Sequence, residues 1–262
     1  MLSMNFFKLL GLSFLGLLIV VPMYSNAQPQ AQNGLIVFAS NADGDFEIYT
    51  VRSDGTQLQQ LTLNESDDSE PTWSPDGQRI MFTTNRDSRS EIYTMNVDGS
   101  AQQPLLPGIS AHSGVWSPDG LRIAFVVNSS SRAQDIFVAQ SDGSDVVNLT
   151  NETSGHINTL PFWSRDSQFI YFLSDRGSII SSALDPVRMS LFRMSLTGSN
   201  PTFIFSAGTF NTGMEISPNG QRILRDANGI AGGAILTLNL DGSNPVFLTD
   251  SLNHNAYSPA WS

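Results

Sequence analysis

Short alternating runs, rich in β-branched and aromatic side chains, recur along this chain with polar turns between them. One set covers residues 34–40, 79–84, 122–127, 168–173 and 221–225, and predicts a strand in each place. A second set follows at 46–51, 91–97, 135–140, 191–196 and 234–240. Each member of the second set ends in a two-residue signal: Asp54-Gly55, Asp98-Gly99, Asp142-Gly143, Thr197-Gly198 and Asp241-Gly242. Glycine accepts the positive φ of a tight hairpin, so these dipeptides predict a turn into a third, shorter strand. That strand falls at 58–62, 102–106, 146–150, 202–205 and 246–249. A fourth strand then ends on Trp73, Trp116, Trp163, Ile216 and Trp261. We letter the strands B, C, D and A in the order just given.

The register of the repeat is set by Glu70-Pro71-Thr72-Trp73-Ser74-Pro75-Asp76-Gly77-Gln78-Arg79-Ile80-Met81-Phe82, and Trp116-Ser117-Pro118-Asp119-Gly120 is nearly the same text. Successive copies start 43, 47, 53 and 45 residues apart. A period of this size built from strands and turns predicts an all-β fold, a β-propeller with four-stranded blades. The first B strand has no A strand before it, and the last A strand has no B strand after it. Five blades follow if the two ends share one blade, the C-terminal A strand (258–261) pairing with the N-terminal B strand and leaving no open edge. A sixth, degenerate blade would have to lie in residues 174–190, which lack a blade's worth of strands. The recurring residues have structural roles in this reading. The tryptophans pack between blades, and Pro75, Asp76 and Gly77 shape the A–B turn, so Asp76 is a turn residue and not an acid catalyst.

The N-terminus follows a different pattern. Lys8 precedes an apolar run, Leu9 to Val21, which Pro22 breaks before Ser25-Asn26-Ala27. This predicts a signal peptide over residues 1–27, a polar linker over 28–33 and the propeller domain over 34–262. The run is short for a spanning helix, although an uncleaved anchor is the alternative. The chain has no cysteine, which excludes disulfides, a lipid-modified cysteine and thiolate metal sites. An exported protein of this kind suits the periplasm or exterior of a bacterium. With a formal charge of −11 and no lysine beyond Lys8, it is expected to bind no nucleic acid and, once the leader is cleaved, to make no stable insertion into a membrane.

The unit Trp-Ser-Pro-Asp-Gly-x-x-Ile-x-Phe, followed by Glu91-Ile92-Tyr93-Thr94-Met95, an Asp-Gly turn and an ending such as Asn148-Leu149-Thr150, resembles the WD-like repeat of TolB-type propellers. The likeness runs from Gly34 to Ser262. It implies a propeller of the bacterial envelope. It is weak for function, because similar repeats occur in TolB, in other envelope proteins and in the propeller domains of prolyl-oligopeptidase-like enzymes. TolB itself has an α/β domain ahead of a six-bladed ring. Here no such domain is expected and the count gives five blades. Arg165 and Ser167 stand where the motif has Pro and Gly, and Ile216 where it has Trp.

In such a blade the D–A and B–C loops emerge together around the mouth of the central channel. These loops carry most of the unrepeated polar residues, and function usually sits on variable loops held by a rigid frame. The candidate partner face is Asp67, Asp68, Glu70, His112, His156 and His254 from D–A loops with Arg86, Arg89, Arg132 and Arg176 from B–C loops. Asp43, Asp45, Asp87, Asp175 and Asp226 lie in the same B–C loops. A metal held by imidazoles and carboxylates is the sharper alternative. Against it, His112 stands 4 residues before its tryptophan but His156 and His254 stand 7 before theirs, so the positions do not align. The loop Ser40-Asn41-Ala42-Asp43-Gly44-Asp45 lacks the final Glu of a calcium loop. No metal, no cofactor and no catalytic residue are therefore expected. The leading functional reading is a non-catalytic, monomeric module that docks a protein or peptide. The alternative is a glycan hydrolase or lyase using the carboxylates at the mouth. A propeller whose catalytic partner is a separate chain is the third.

Overall fold

A computed structural model of the chain describes residues 34–42, 44–129, 133–151, 155–177, 188–198, 201–209, 214–217, 219–226 and 235–249. Among the described residues the fold is all-β, with five antiparallel sheets arranged in a ring as a five-bladed propeller. Blade 1 holds β1 (Leu35–Ser40), β2 (Glu47–Arg52) and β3 (Gln59–Gln60). Blade 2 holds β4 (Asp68–Trp73), β5 (Arg79–Thr84), β6 (Glu91–Asn96) and β7 (Gln103–Pro104). Blade 3 holds β8 (Ala111–Trp116), β9 (Arg122–Asn128), β10 (Gln134–Gln140) and β11 (Val147–Asn148). Blade 4 holds β12 (Asn158–Trp163), β13 (Phe169–Ser174), β14 (Arg188–Ser195) and β15 (Thr202–Thr209). Blade 5 holds β16 (Met214–Ile216), β17 (Arg222–Asp226), β18 (Ile235–Asn239) and β19 (Val246–Phe247). The strands follow the lettered order expected from the sequence. The C-terminal strand expected to close the ring, residues 258–261, lies outside the described residues.

Two turns repeat from blade to blade because their side chains close them. In the A–B turn the Ser74 hydroxyl donates to Asp76 Oδ1 at 2.6 Å and accepts from the Arg79 amide at 2.9 Å. The same pair recurs as Ser117 with Asp119, Ser164 with Asp166 and Ser217 with Asn219. The bond from Ser74 holds the Asp76 carboxyl below its ordinary range, and that from Ser164 does the same for Asp166. In the C–D turn the glycine contacts the preceding blade. A Cβ on Gly143 would lie 2.0 Å from the Leu105 carbonyl oxygen, and the φ there is +86°. Gly99 meets Leu61 and Gly198 meets Leu149 in the same way.

The blades are joined by apolar layers in which the tryptophans take the expected place. Trp116 is 5% exposed and packs among Met81, Ile92 and Leu106 of blade 2 and Ile123 and Phe125 of its own blade. Trp163, 1% exposed, lies between Val126 and Ile136 of blade 3 and Phe172 and Phe192 of blade 4, its Nε1 donating to the Val115 carbonyl at 3.2 Å. Trp73 is only half-buried at the edge of the first such layer. Ile216 fills the corresponding place in the fourth layer.

One feature of the inner strands was not legible in advance. The pairing of β4, β8 and β12 with the next strand slips between Ser69 and Thr72, His112 and Val115, and Thr159 and Phe162. At each slip one residue takes a left-handed conformation: Glu70 (φ 52°), Ser113 (φ 53°) and Leu160 (φ 51°). Such bulges re-aim side chains. In blades 2 and 3 the result is a contact across the blade boundary, described below.

Candidate functional site

The loop face is built from D–A loops that run straight into the inner strands and from B–C loops that lead into strand C. Hydrogen bonds fix this junction between blades 1 and 2, 2 and 3, and 3 and 4. The Asp68 amide donates to the Phe46 carbonyl at 2.6 Å, the Ala111 amide to Ser90 at 2.9 Å and the Gln134 amide to His156 at 3.1 Å. The loops are therefore stitched to one another and not merely carried by the same frame.

The three acids of the first D–A loop point three ways. Asp67 is exposed, and its Oδ1 accepts the Phe46 amide at 3.0 Å. Asp68 is fully buried, and its Oδ2 takes Arg86 Nη2 and Asn64 Nδ2, each at 2.9 Å. Glu70 crosses to blade 3. Its Oε2 accepts the Ser113 amide at 2.7 Å and the Thr83 hydroxyl at 2.9 Å, and its Oε1 accepts the Ser113 hydroxyl at 3.1 Å.

That last contact begins a chain of polar groups from blade to blade. His112 Nδ1 lies 3.0 Å from Ser113 Oγ, and since the Ser113 proton points to Glu70, the imidazole is the donor. His112 Nε2 lies 3.4 Å from Gln134 Nε2. The Gln134 carbonyl accepts Asn158 Nδ2 at 3.0 Å. His156 Nδ1 stands 3.1 Å from Asp175 Oδ1, which also accepts the Ile157 amide at 2.9 Å. The chain links blades 2, 3 and 4, and brings together Glu70, His112 and His156 from the sequence-derived set.

The arginines are committed to the frame. Arg86 bonds Asp68, Thr84 and Gln102, and its guanidinium lies 4.7 Å from the Tyr93 ring centre. Arg176 lies over Phe192 at 5.7 Å. Arg89 pairs with Glu91 at 2.6 Å through Nε, and its side chain remains 47% exposed. Arg132 and His254 lie outside the described residues, as does Asp43.

Sequence reasoning passed over a set of buried acids at the start of strand C: Glu47, Glu91 and Asp135, exposed by 0%, 4% and 2%. Their recurrence ahead of Ile48, Ile92 and Ile136 was the available signal. Asp135 Oδ1 accepts the Thr150 hydroxyl at 2.6 Å and its Oδ2 that of Ser129 at 2.5 Å. Glu47 Oε1 accepts the Asn64 amide at 2.5 Å. Burial pushes the Glu47 carboxyl above its ordinary value, and Asp68 and Asp45 nearby add to the rise, while bonds from Thr62 and Asn64 oppose it. Asp68 Oδ1 and Asp45 Oδ2 are buried with no hydrogen-bond partner among the described residues. No group of three or more His, Cys, Asp or Glu among the described residues is arranged to hold a metal ion.

Comparison with known proteins bears on the fold first. The sequence matches the TolB beta propeller domain family at residues 19–107 and again at 105–262. The structure is similar to TolB from Acinetobacter baumannii, with a TM-score of 0.67 at 19% identity, over 85% of this chain and 54% of that one. It is similar to a TolB-type protein from Agrobacterium tumefaciens, with a TM-score of 0.69 at 20% identity, over 90% of this chain and 84% of that one. A puromycin-hydrolyzing peptidase from Mycobacterium tuberculosis matches with a TM-score of 0.66 at 17% identity, over 88% of this chain but only 39% of the peptidase. The chain thus spans about half of the Acinetobacter protein. No curated protein matches it by sequence.

Proposed function

Because the chain belongs to the TolB β-propeller family, we propose that it is an exported, non-catalytic propeller of a bacterial envelope that docks a protein or peptide on its loop face. The observation that carries this reading is the state of Glu70. An acid placed at the channel mouth for proton transfer needs a free oxygen, and this one is held by three donors from Thr83 and Ser113. Its role is to stiffen the mouth, as a preorganised binding surface requires. Exposed groups on that frame include Leu63 and Arg89, with His156 half-buried beside Asp175, and the net charge of −11 favours basic partners. Export rests on the leader pattern of Lys8, the Leu9–Val21 run and Ser25-Asn26-Ala27.

The glycan-cleaving alternative gains no support from the same face. It needs two accessible carboxylates flanking a sugar bond. Asp68 is buried beneath Arg86, Asp67 holds the Phe46 amide, and Glu70 is turned away to blade 3. Likeness to a peptidase of which the chain covers 39% carries no activity with it.

The test is affinity capture from the envelope of the source cell with three baits. One is the unaltered chain. The second carries Leu63→Ala, Arg89→Ala and His156→Ala on the loop face. The third carries Gln78→Ala, Leu121→Ala and Gln168→Ala on the A–B turns of the opposite face. A partner held by the first and third baits but lost from the second supports loop-face docking. A partner retained by the second bait sinks it.

A further inference from the structure

The first D–A loop hangs from a buried acid. Glu47 is fully buried at the start of strand C, and its Oε1 accepts the Asn64 amide at 2.5 Å. The Thr62 hydroxyl bonds the same carboxyl. Asn64 in turn orders the loop around it. Its Oδ1 accepts the Ser66 amide at 2.9 Å, and its Nδ2 donates to Asp68 Oδ2 at 2.9 Å. The loop fastened in this way displays Leu63, which is 81% exposed, with Glu65 and Asp67 exposed beside it.

The acids at this place are not treated alike from blade to blade. Glu91 has Arg89 against it. Asp135 takes the hydroxyls of Ser129 and Thr150 and the side-chain amide of Asn148. Glu47 instead faces two more acids, Asp45 from the B–C loop and Asp68 from β4. Its neighbour β1 carries no charge, and the one cation of the group, Arg86, is taken by Asp68 Oδ2. Asp68 Oδ1 and Asp45 Oδ2 are buried with no donor among the described residues. Bare buried carboxylate oxygens are costly, and so are like charges held together out of water. A proton on Glu47 relieves both, because it removes the acid charge that no cation meets and adds a donor to a cluster that lacks one.

We propose that Glu47 is a proton-operated latch, which pins the first D–A loop to blade 1 when protonated and releases it when ionised beside Asp45 and Asp68. The loop is the part that yields. Asp68 is anchored by Arg86 and by its amide bond to the Phe46 carbonyl, whereas Asn64 reaches the frame through the acids themselves. An ionised Glu47 is the better acceptor for the Asn64 amide, but burial and the two neighbouring acids outweigh that bond and hold the carboxyl above its ordinary 4.5. The latch is therefore shut in acid and opens as the pH rises through the higher folded value. A released loop moves Leu63 out of the preorganised face, so docking weakens as the pH rises. That consequence rests on the loop-face reading, and the latch itself does not.

Amide hydrogen exchange of the chain purified after export, from about pH 4 to about pH 8 and corrected for the intrinsic pH dependence of exchange, tests the latch without a partner. The Asn64 amide is expected to lose protection severalfold as the pH rises. The Asn151 amide is the control in blade 3, since its acceptor is the uncharged Asn148 Oδ1 at 2.8 Å, and its protection should stay level. Glu47→Gln keeps an acceptor and supplies a permanent donor, so Asn64 in that variant should stay protected throughout. Asn64 protection that ignores pH, a fall shared equally by Asn151, or a fall that persists in Glu47→Gln overturns the proposal. Should the variant fail to fold, the two amides of the unaltered chain decide. No partner enters the measurement, so failure to capture one on the loop face leaves its result standing.

Discussion

Glu70 of blade 2 binds the backbone amide of Ser113 in blade 3 at 2.7 Å, from a position where its own backbone is left-handed. A non-glycine residue in that conformation is costly unless something holds it there. Here the holding groups are the Ser113 amide and hydroxyl and the Thr83 hydroxyl. Glu70→Ala removes all three bonds and leaves the donors short of partners. It should cost about 2 kcal/mol in urea unfolding, the scale of hydrogen bonds to a charged acceptor. Glu70→Gln keeps the shape and should recover part of that loss.

Arg86 does comparable work inside blade 2, because it alone neutralises the buried Asp68 among the described residues. Removing one member of a buried pair leaves an uncompensated charge, at about 3–5 kcal/mol. Arg86→Ala should therefore be much more damaging than Arg89→Ala, whose side chain is 47% exposed. The double variant Arg86→Ala, Asp68→Asn should be more stable than Arg86→Ala alone. Chemical denaturation of the four proteins measures the difference, and equal losses at the two arginines would refute it.

What the sequence showed and what it hid divide along a physical line. Ser117, Asp119 and Gly120 act within a few residues of themselves, so the turns, strands and blade count were legible from local spacing. The direction of a side chain after a bulge depends on the partner strand, so nothing marked Glu70 as a bridge or separated it from Asp67 and Asp68. In the sequence Arg86 and Arg176 read as B–C loop members of the partner face. They are instead laid over Tyr93 and Phe192, residues that alternation had already assigned to strand C. The length of β15 was not legible either, because Ser206 stands where Thr62, Thr150 and Thr249 close three other ladders, and a hydroxyl there gave no sign of a longer strand.

The tryptophans repeat in sequence but not in burial, and their substitution costs should follow burial. Trp163 is 1% exposed and hydrogen-bonded, Trp116 is 5% exposed without a partner for its Nε1, and Trp73 is half-buried. Trp163→Ala should lose about 3–5 kcal/mol, with Trp116→Ala next and Trp73→Ala least. Equal losses would mean that the interfaces are not independent layers.

The glycines of the C–D turns separate two effects that usually travel together. Gly55 and Gly143 have nearly the same φ, +82° and +86°, but an added methyl meets nothing at Gly55 and lies 2.0 Å from the Leu105 carbonyl at Gly143. Gly55→Ala therefore reports backbone strain alone, about 1–2 kcal/mol. Gly143→Ala adds displacement of the neighbouring blade and should cost at least about twice as much. Thermal midpoints of the two variants suffice, and a Gly143→Ala loss no larger than that of Gly55→Ala would show that the blades slide apart freely.

Glu47 gives the propeller a pH dependence opposite in sign to that of its turn aspartates. Burial, with Asp68 and Asp45 close by, raises its carboxyl above the ordinary 4.5, so the folded chain holds this proton more tightly than the unfolded one. The stability it contributes is complete below 4.5 and is lost as the pH rises through the higher folded value. Asp76 and Asp166 are shifted downward by Ser74 and Ser164, so their contribution is present above 3.8 and is lost as the pH falls through the lower folded values. Glu47→Gln keeps an oxygen for the Asn64 amide and removes the charge. Urea midpoints taken from about pH 3 to about pH 8 should then show the variant gaining on the unaltered chain as the pH rises, with the acid-side decline unchanged. A constant difference across the range would mean that Glu47 is not protonated preferentially in the folded state.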